Sequence, residues 1–116
     1  AISADAAEHA GLSALAAATA DVTDYMLNAD IDDRLAGSYA YTNMMAVATS
    51  GWLMLKQLRA AQAAIANGDT GAFLRAKVAA CRYYLDVMVP EAMAFKGSAM
   101  VGAKLLYAID AEELAA

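Results

Sequence analysis

LAGSYAYTNMMAVATSGWLML, residues Leu35–Leu55, is the longest part of this chain without a charged side chain. Three things could cover such a stretch: a bilayer, the chain's own core, or a larger protein body. Its length suits a membrane span of roughly 20 residues. Its content does not, because Ser38, Tyr39, Tyr41, Thr42, Asn43, Thr49, Ser50 and Gly51 make poor hydrocarbon contacts. No membrane span is therefore expected. Met44, Ala48, Gly51 and Leu55 recur at helical spacing, and Leu58 and Ile65 extend the seam, with Gln62 its polar member. The stretch reads as the middle of a helix from about Asp32 to Asn67, roughly 50 Å long at 1.5 Å per residue. Val47, Leu53 and Met54 make the opposite side apolar too. That side is left for a larger body or for another copy of the chain.

Two further helical segments flank this one. "NADIDD" (Asn28–Asp33) and "NGDTG" (Asn67–Gly71) are the clearest breaks, the second pairing a helix stop with a helix start. The first segment runs from about Ser3, a candidate N-cap, to Asn28. Leu12, Leu15, Thr19, Val22 and Met26 form its seam. The third begins near Gly71. Leu74, Val78, Cys81, Leu85 and Met88 keep the spacing, as do Ala92, Phe95, Ala99, Gly102, Leu106 and Ile109 beyond the single proline, Pro90. A seam in phase across Pro90 predicts one long helix kinked there, where the bond back to Asp86 is lost. A split into two helices at Val89–Pro90 is the alternative. The tail DAEELAA is expected to fray. No stretch alternates with period two, so the expected fold is all-α: an antiparallel up-down-up bundle of three long helices, or four if Pro90 splits the last. Residues 1–116 form a single helical domain.

Composition narrows the function. The chain is 61% hydrophobic with a mean hydropathy of +0.41, against the roughly 45–50% apolar content usual in soluble domains. Such excess points to surface hidden against a partner. The net charge of −5 and the scattered basic residues argue against nucleic acid. A lone cysteine, Cys81, suits a reducing, cytoplasmic setting. The chain begins at Ala1 rather than Met, and is expected to be a processed product or a piece of something longer.

No catalytic pattern in the sequence is complete. Asp5 and the only histidine, His9, are four apart and could share a helix face, but a metal site needs more ligands. They read as an exposed polar first turn. Asp30, Asp32 and Asp33 lack the glycine and closing glutamate of a calcium loop and read as helix-start acids. In "GSAMVGAKL" (Gly97–Leu105) the Gly-Lys pair of a phosphate loop is interrupted and no strand precedes it, so Gly97 and Gly102 read as close-packing points in a helix. Cys81 lies on the apolar seam and reads as inert packing. No catalytic, cofactor-binding or metal-ligating residue is assigned.

The third segment carries a resemblance. FLRAKVAACRYYLDVMVPEAMAFKGSAMVGA (Phe73–Ala103) resembles the C-terminal helical extension of bacterial acyl-CoA dehydrogenases, the acetyl-CoA dehydrogenase-like C-terminal domain. The shared elements are Phe73, Ala76-Lys77, Ala80-Cys81-Arg82-Tyr83-Tyr84 and Val89-Pro90, followed by an Ala- and Gly-rich helix. Upstream, DDRLAGSYAYTNMMAVATSGWLMLKQL (Asp32–Leu58) is similar to the family's second helix, with Trp52 near the end of its uncharged run.

The resemblance implies a parent flavoprotein that oxidises an acyl-CoA to the 2,3-enoyl-CoA, a carboxylate taking the α-proton while FAD takes the β-hydride. Base, flavin site and CoA site would lie in the parent's catalytic body. The chain alone is expected to be inactive and to bind no FAD. Its partners would be that body and, as a homo-oligomer, another copy, with a symmetric dimer the default. Trp52, Arg82, Tyr83, Tyr84 and Pro90 are the structural or interface candidates. Arg82 and Lys77 are five apart and do not share a face. Arg82 is expected to be surface charge, with Asp86 four residues on as its partner.

Overall fold

The computed structural model describes residues 1–116 and contains helices and turns only. A short helix, α1 (Ile2–Asp5), precedes α2 (Ala10–Asn28). The expected single helix from Ser3 is therefore broken. Ser3 caps nothing. His9 instead turns extended and its Nδ1 accepts the backbone N–H of Leu12 at 3.1 Å, so the true N-cap is the histidine. α3 (Ile31–Ala66) starts at Asp30, whose carboxylate accepts the N–H of Asp33 at 3.1 Å. It ends at Asn67, after which Gly68 takes a φ of +101° that other residues avoid.

The next helix, α4, opens as regular α-helix over Ala72–Tyr83 and continues through a π turn (Tyr84–Met88), α-helix at Val89–Glu91, a 3₁₀ turn (Ala92–Ala94) and α-helix at Phe95–Met100. Tyr84, Val89, Ala92 and Phe95, at the joins, all keep right-handed helical angles. One helix thus passes Pro90. The π turn explains how: the widened ladder carries the proline ring away from the carbonyl it would otherwise strike. It also adds a residue to the seam. Val89 is buried where the spacing predicted Met88, which is exposed. The last helix, α5 (Ala111–Ala115), is short but has a capping box between Asp110 and Glu113.

α2 runs antiparallel to α3, bringing Leu12 to Gly51 and Met26 to Gly37. α4 also runs antiparallel to α3, with Cys81 against Met54 and Ala99 against Gly37. The core is one cluster built from Leu12, Leu15, Val22, Met44, Ala48, Leu55, Cys81, Leu85 and Val89, closed by alanines where helices come closest. Fully burying a Leu or Val contributes roughly 1.5–3 kcal/mol. Thr19 is buried among them and donates to the Leu15 carbonyl at 2.7 Å, so its hydroxyl is satisfied. The molecule measures 68 × 30 × 16 Å. Part of that length is an arm: α3 and α4 project past the start of α2 as a two-helix hairpin ending at the Asn67–Gly71 turn.

Candidate functional site

Trp52 ties the N-terminal segment to α3. Its Nε1 donates to the Asp5 carboxylate at 2.7 Å. Lys56 sits 4.1 Å from the centre of its ring, a cation–π arrangement. Arg59 adds a bond to the Asp5 carbonyl at 3.0 Å and an exposed pair with Glu8 at 3.5 Å. Asp5 and His9 therefore do not meet at a common site: Asp5 turns to Trp52, and His9 to the helix it caps. Within the chain, Trp52 is an anchor rather than free surface.

The other candidates point in different directions. Arg82 is exposed, and Asp86 is not its partner. Asp86 Oδ1 accepts from His9 Nε2 at 3.3 Å. Because His9 Nδ1 accepts from Leu12, its proton sits on Nε2. Tyr83 is 62% exposed, whereas Tyr84 packs half-buried on the core. Pro90 is exposed beside Gly11 at the start of α2. Cys81 is wholly buried with Sγ 3.9 Å from Met54 Sδ, an environment for packing.

Gly97 and Gly102 are not helix packing points. Nothing lies within 4 Å of where a Gly97 side chain would begin, and Gly102 turns the chain at φ +78° after α4. Asp33 holds that turn, its Oδ1 accepting the N–H of Ala103 at 2.8 Å. The seam therefore stops at Ala99. The segment beyond it is apolar and uncovered: Leu105 is 71%, Leu106 70% and Tyr107 68% exposed, and Val101, Ile109 and Leu114 are exposed with them. Leu27, Ile31 and Leu35, also exposed, lie around the adjoining α2–α3 turn. Sequence spacing had placed Leu106 and Ile109 on the buried seam. The positive φ of Gly102, a property of the folded chain, is what ends the seam.

Two clefts remain. One is acidic, lined by Asp21, Asp24, Tyr25, Asn28, Asp33 and Met100. Desolvation there, with smaller contributions from Asp33 and Asp30, raises the Tyr25 pKa above the usual phenol value. The other is an apolar groove in the arm, lined by Gln57, Ala60, Ala61, Phe73, Leu74 and Lys77. Gln57 Oε1 is buried there without a hydrogen-bond partner. No group of three or more His, Cys, Asp or Glu side chains is placed to hold a metal ion, and no helix is long and apolar enough to cross a membrane.

Comparison with known proteins adds one finding. A family model described as acetyl-CoA dehydrogenase C-terminal like matches residues 3–110. No curated protein and no solved structure matches the chain.

Proposed function

Because the chain belongs to the acetyl-CoA dehydrogenase C-terminal-like family, we propose that it is the accessory helical domain of an FAD-dependent acyl-CoA dehydrogenase, supplying packing and oligomer contacts and no catalytic group. The observation that supports this reading is the uncovered apolar segment Val101–Leu114 with Leu27, Ile31 and Leu35 beside it. Exposed apolar surface on this scale marks a contact site. The segment contributes nothing to the core except its first turn, so its hydrophobic content has no role inside the domain. It would lean on the catalytic body, with Asp33 fixing the direction in which it leaves the bundle.

FAD would belong to the body. Neither cleft of this chain suits it: the carboxylates of one repel a pyrophosphate, and the other is a shallow apolar groove with a single lysine. No step of acyl-CoA oxidation is assigned to residues here. We place the domain in the cytoplasm, on the free thiol of Cys81.

The test is assembly in two pieces. The chain and the catalytic body, expressed as separate polypeptides, are expected to co-purify. Leu105→Asp with Leu106→Asp is expected to abolish that association while the circular dichroism of the chain stays unchanged. Full association of the double variant would refute the assignment of this surface. A free-standing interaction module is the second reading; it predicts tight association with an unrelated protein and none with the body.

A further inference from the structure

The chain has three asparagines, Asn28, Asn43 and Asn67. Two of them turn back on their own helices. Nδ2 of Asn28 donates to the Asp24 carbonyl at 2.8 Å, and Nδ2 of Asn43 to the Tyr39 carbonyl at 2.9 Å. Asn43 also lies inside α3, followed by the buried Met44. Asn67 differs on each count. It ends α3, it is exposed, and its side-chain amide has no partner in the chain. Gly68 follows it at φ +101°, with nothing within 4 Å of where a side chain would begin.

The Asn67–Gly68 pair forms the tip of the arm. Every residue from Ile65 to Phe73 is exposed, and between Arg59 and Ala80 only Ala61 is buried. Backbone bonds hold the turn shut. The Gly68 N–H donates to the Ile65 carbonyl at 3.0 Å and the Asp69 N–H to the Ala64 carbonyl at 3.1 Å. Opening this turn uncovers no core side chain, so it belongs to the least stable part of the fold. With no Cβ, Gly68 neither shields its own nitrogen nor resists the rotations that opening requires.

We propose that Asn67 is a site of self-modification, where the chain deamidates and thereby loosens its own arm. Hydroxide removes the Gly68 amide proton, and the nitrogen attacks Cγ of Asn67. The N–Cγ bond forms, the Cγ–Nδ2 bond breaks, and the nitrogen takes a proton from water and leaves as ammonia. Water then opens the resulting five-membered imide at either carbonyl, giving aspartate or β-linked isoaspartate. Nothing is oxidised or reduced. The closed turn holds the reaction back. Asn67 stands at φ −84°, ψ 8°, and turning its ψ to bring the Gly68 nitrogen onto Cγ breaks the bond to Ile65. Either product sets a carboxylate at the negative end of the α3 dipole, beside Asp69. The β-linked one also adds an atom to the main chain, so Gly68 and Asp69 lose register with Ile65 and Ala64. The tip is the far end of α3 from Asp33, which holds the C-terminal segment assigned to the catalytic body. The modification therefore stands whatever that segment binds.

The experiment is ageing of the full chain in mildly alkaline buffer, followed by ammonia release and peptide mapping. One ammonia per chain is expected, all of it from Asn67, at a rate proportional to hydroxide. The product should run on ion exchange one charge beyond the −5 of the fresh chain, and its isoaspartate should accept a methyl group from an isoaspartyl methyltransferase. Asn67→Gln, whose extra methylene disfavours the five-membered ring, is expected to release none and to keep its charge. Urea is expected to speed the reaction, because the turn bonds gate it. Amide exchange in the aged chain should rise over residues 59–80 while Leu15, Met44 and Leu85 stay protected. No ammonia, loss spread over all three asparagines, a rate unmoved by urea, or unchanged exchange in the arm of the modified chain would each overturn the proposal.

Discussion

Gly37→Ala tests the packing of the bundle where three helices meet. A methyl group built on Gly37 would lie 2.1 Å from the backbone oxygen of Ala99 and 2.8 Å from Cε of Met26. The methionine can swing aside, but the carbonyl belongs to the α4 backbone. Ordinary contact needs 3.4 Å or more, so α3 and α4 must part by about 1 Å in a close-packed interior. Overpacking of this kind costs about 1–3 kcal/mol, and a backbone obstacle places it near the top of the range. The better helix propensity of alanine returns about 1 kcal/mol. The net loss is about 2 kcal/mol, or about 8 °C in Tm for a domain of this size. Gly97→Ala is the control: it meets nothing within 4 Å, so only the propensity gain of about 0.5–1 kcal/mol remains. Thermal and urea unfolding of the two variants should differ in sign. Equal stabilisation of both would refute the close approach of α3 to α4 at Gly37.

Three other outcomes are expected. Trp52→Phe removes the donor to Asp5 and should cost about 1 kcal/mol, with faster amide exchange confined to residues 1–9; unchanged exchange there would show that the indole does not anchor α1. Asp33→Ala frees the Ala103 N–H and should cost about 1–2 kcal/mol, read as faster exchange at residues 101–103 with the α2–α3 core still protected. Burial first, then Asp33 and Asp30, favours the neutral form of Tyr25. Its folded pKa is raised above the unfolded value, so its contribution to stability is present below about pH 10 and is lost as the pH rises through the folded pKa. Phenolate absorbance should show one tyrosine in wild type, absent in Tyr25→Phe, ionising after the exposed ones.

The bundle was legible because its signals are local and repeated. Leu12, Leu15, Thr19, Val22 and Met26 are all buried, as are Met44, Ala48, Gly51, Leu55 and Leu58, because spacings of three and four return a side chain to the same face. The Asn67–Gly71 turn was legible in its Asn-Gly and Asp-Thr pairs, a helix stop followed by a helix start, and Gly68 takes the positive φ there. What escaped depends on partners far apart in the chain. Asp5 lies 47 residues from the Trp52 indole that holds it, and His9 lies 77 from Asp86. Spacing also counts α-helical turns only, so the π turn before Pro90 moved burial from Met88 to Val89. Of the five structural or interface candidates, Arg82, Tyr83 and Pro90 are exposed, whereas Trp52 and Tyr84 serve the chain's own packing. An aromatic residue in a helix carries no mark of which it will do. The apolar tail reads as more seam because Leu106 and Ile109 keep the rhythm, while the turn at Gly102 is held by Asp33, whose carboxylate accepts the Ala103 N–H from 70 residues away.

The central claim is that this domain serves a flavoenzyme by contact alone. The most direct measurement is sedimentation of the chain with the FAD-loaded acyl-CoA dehydrogenase body that the proposal places in the same polypeptide, followed at the flavin absorbance. The account predicts that the flavin boundary moves faster when the chain is added, and that the chain sedimenting alone carries no flavin absorbance. A flavin boundary unmoved at saturating chain, or flavin travelling with the isolated chain, would contradict it.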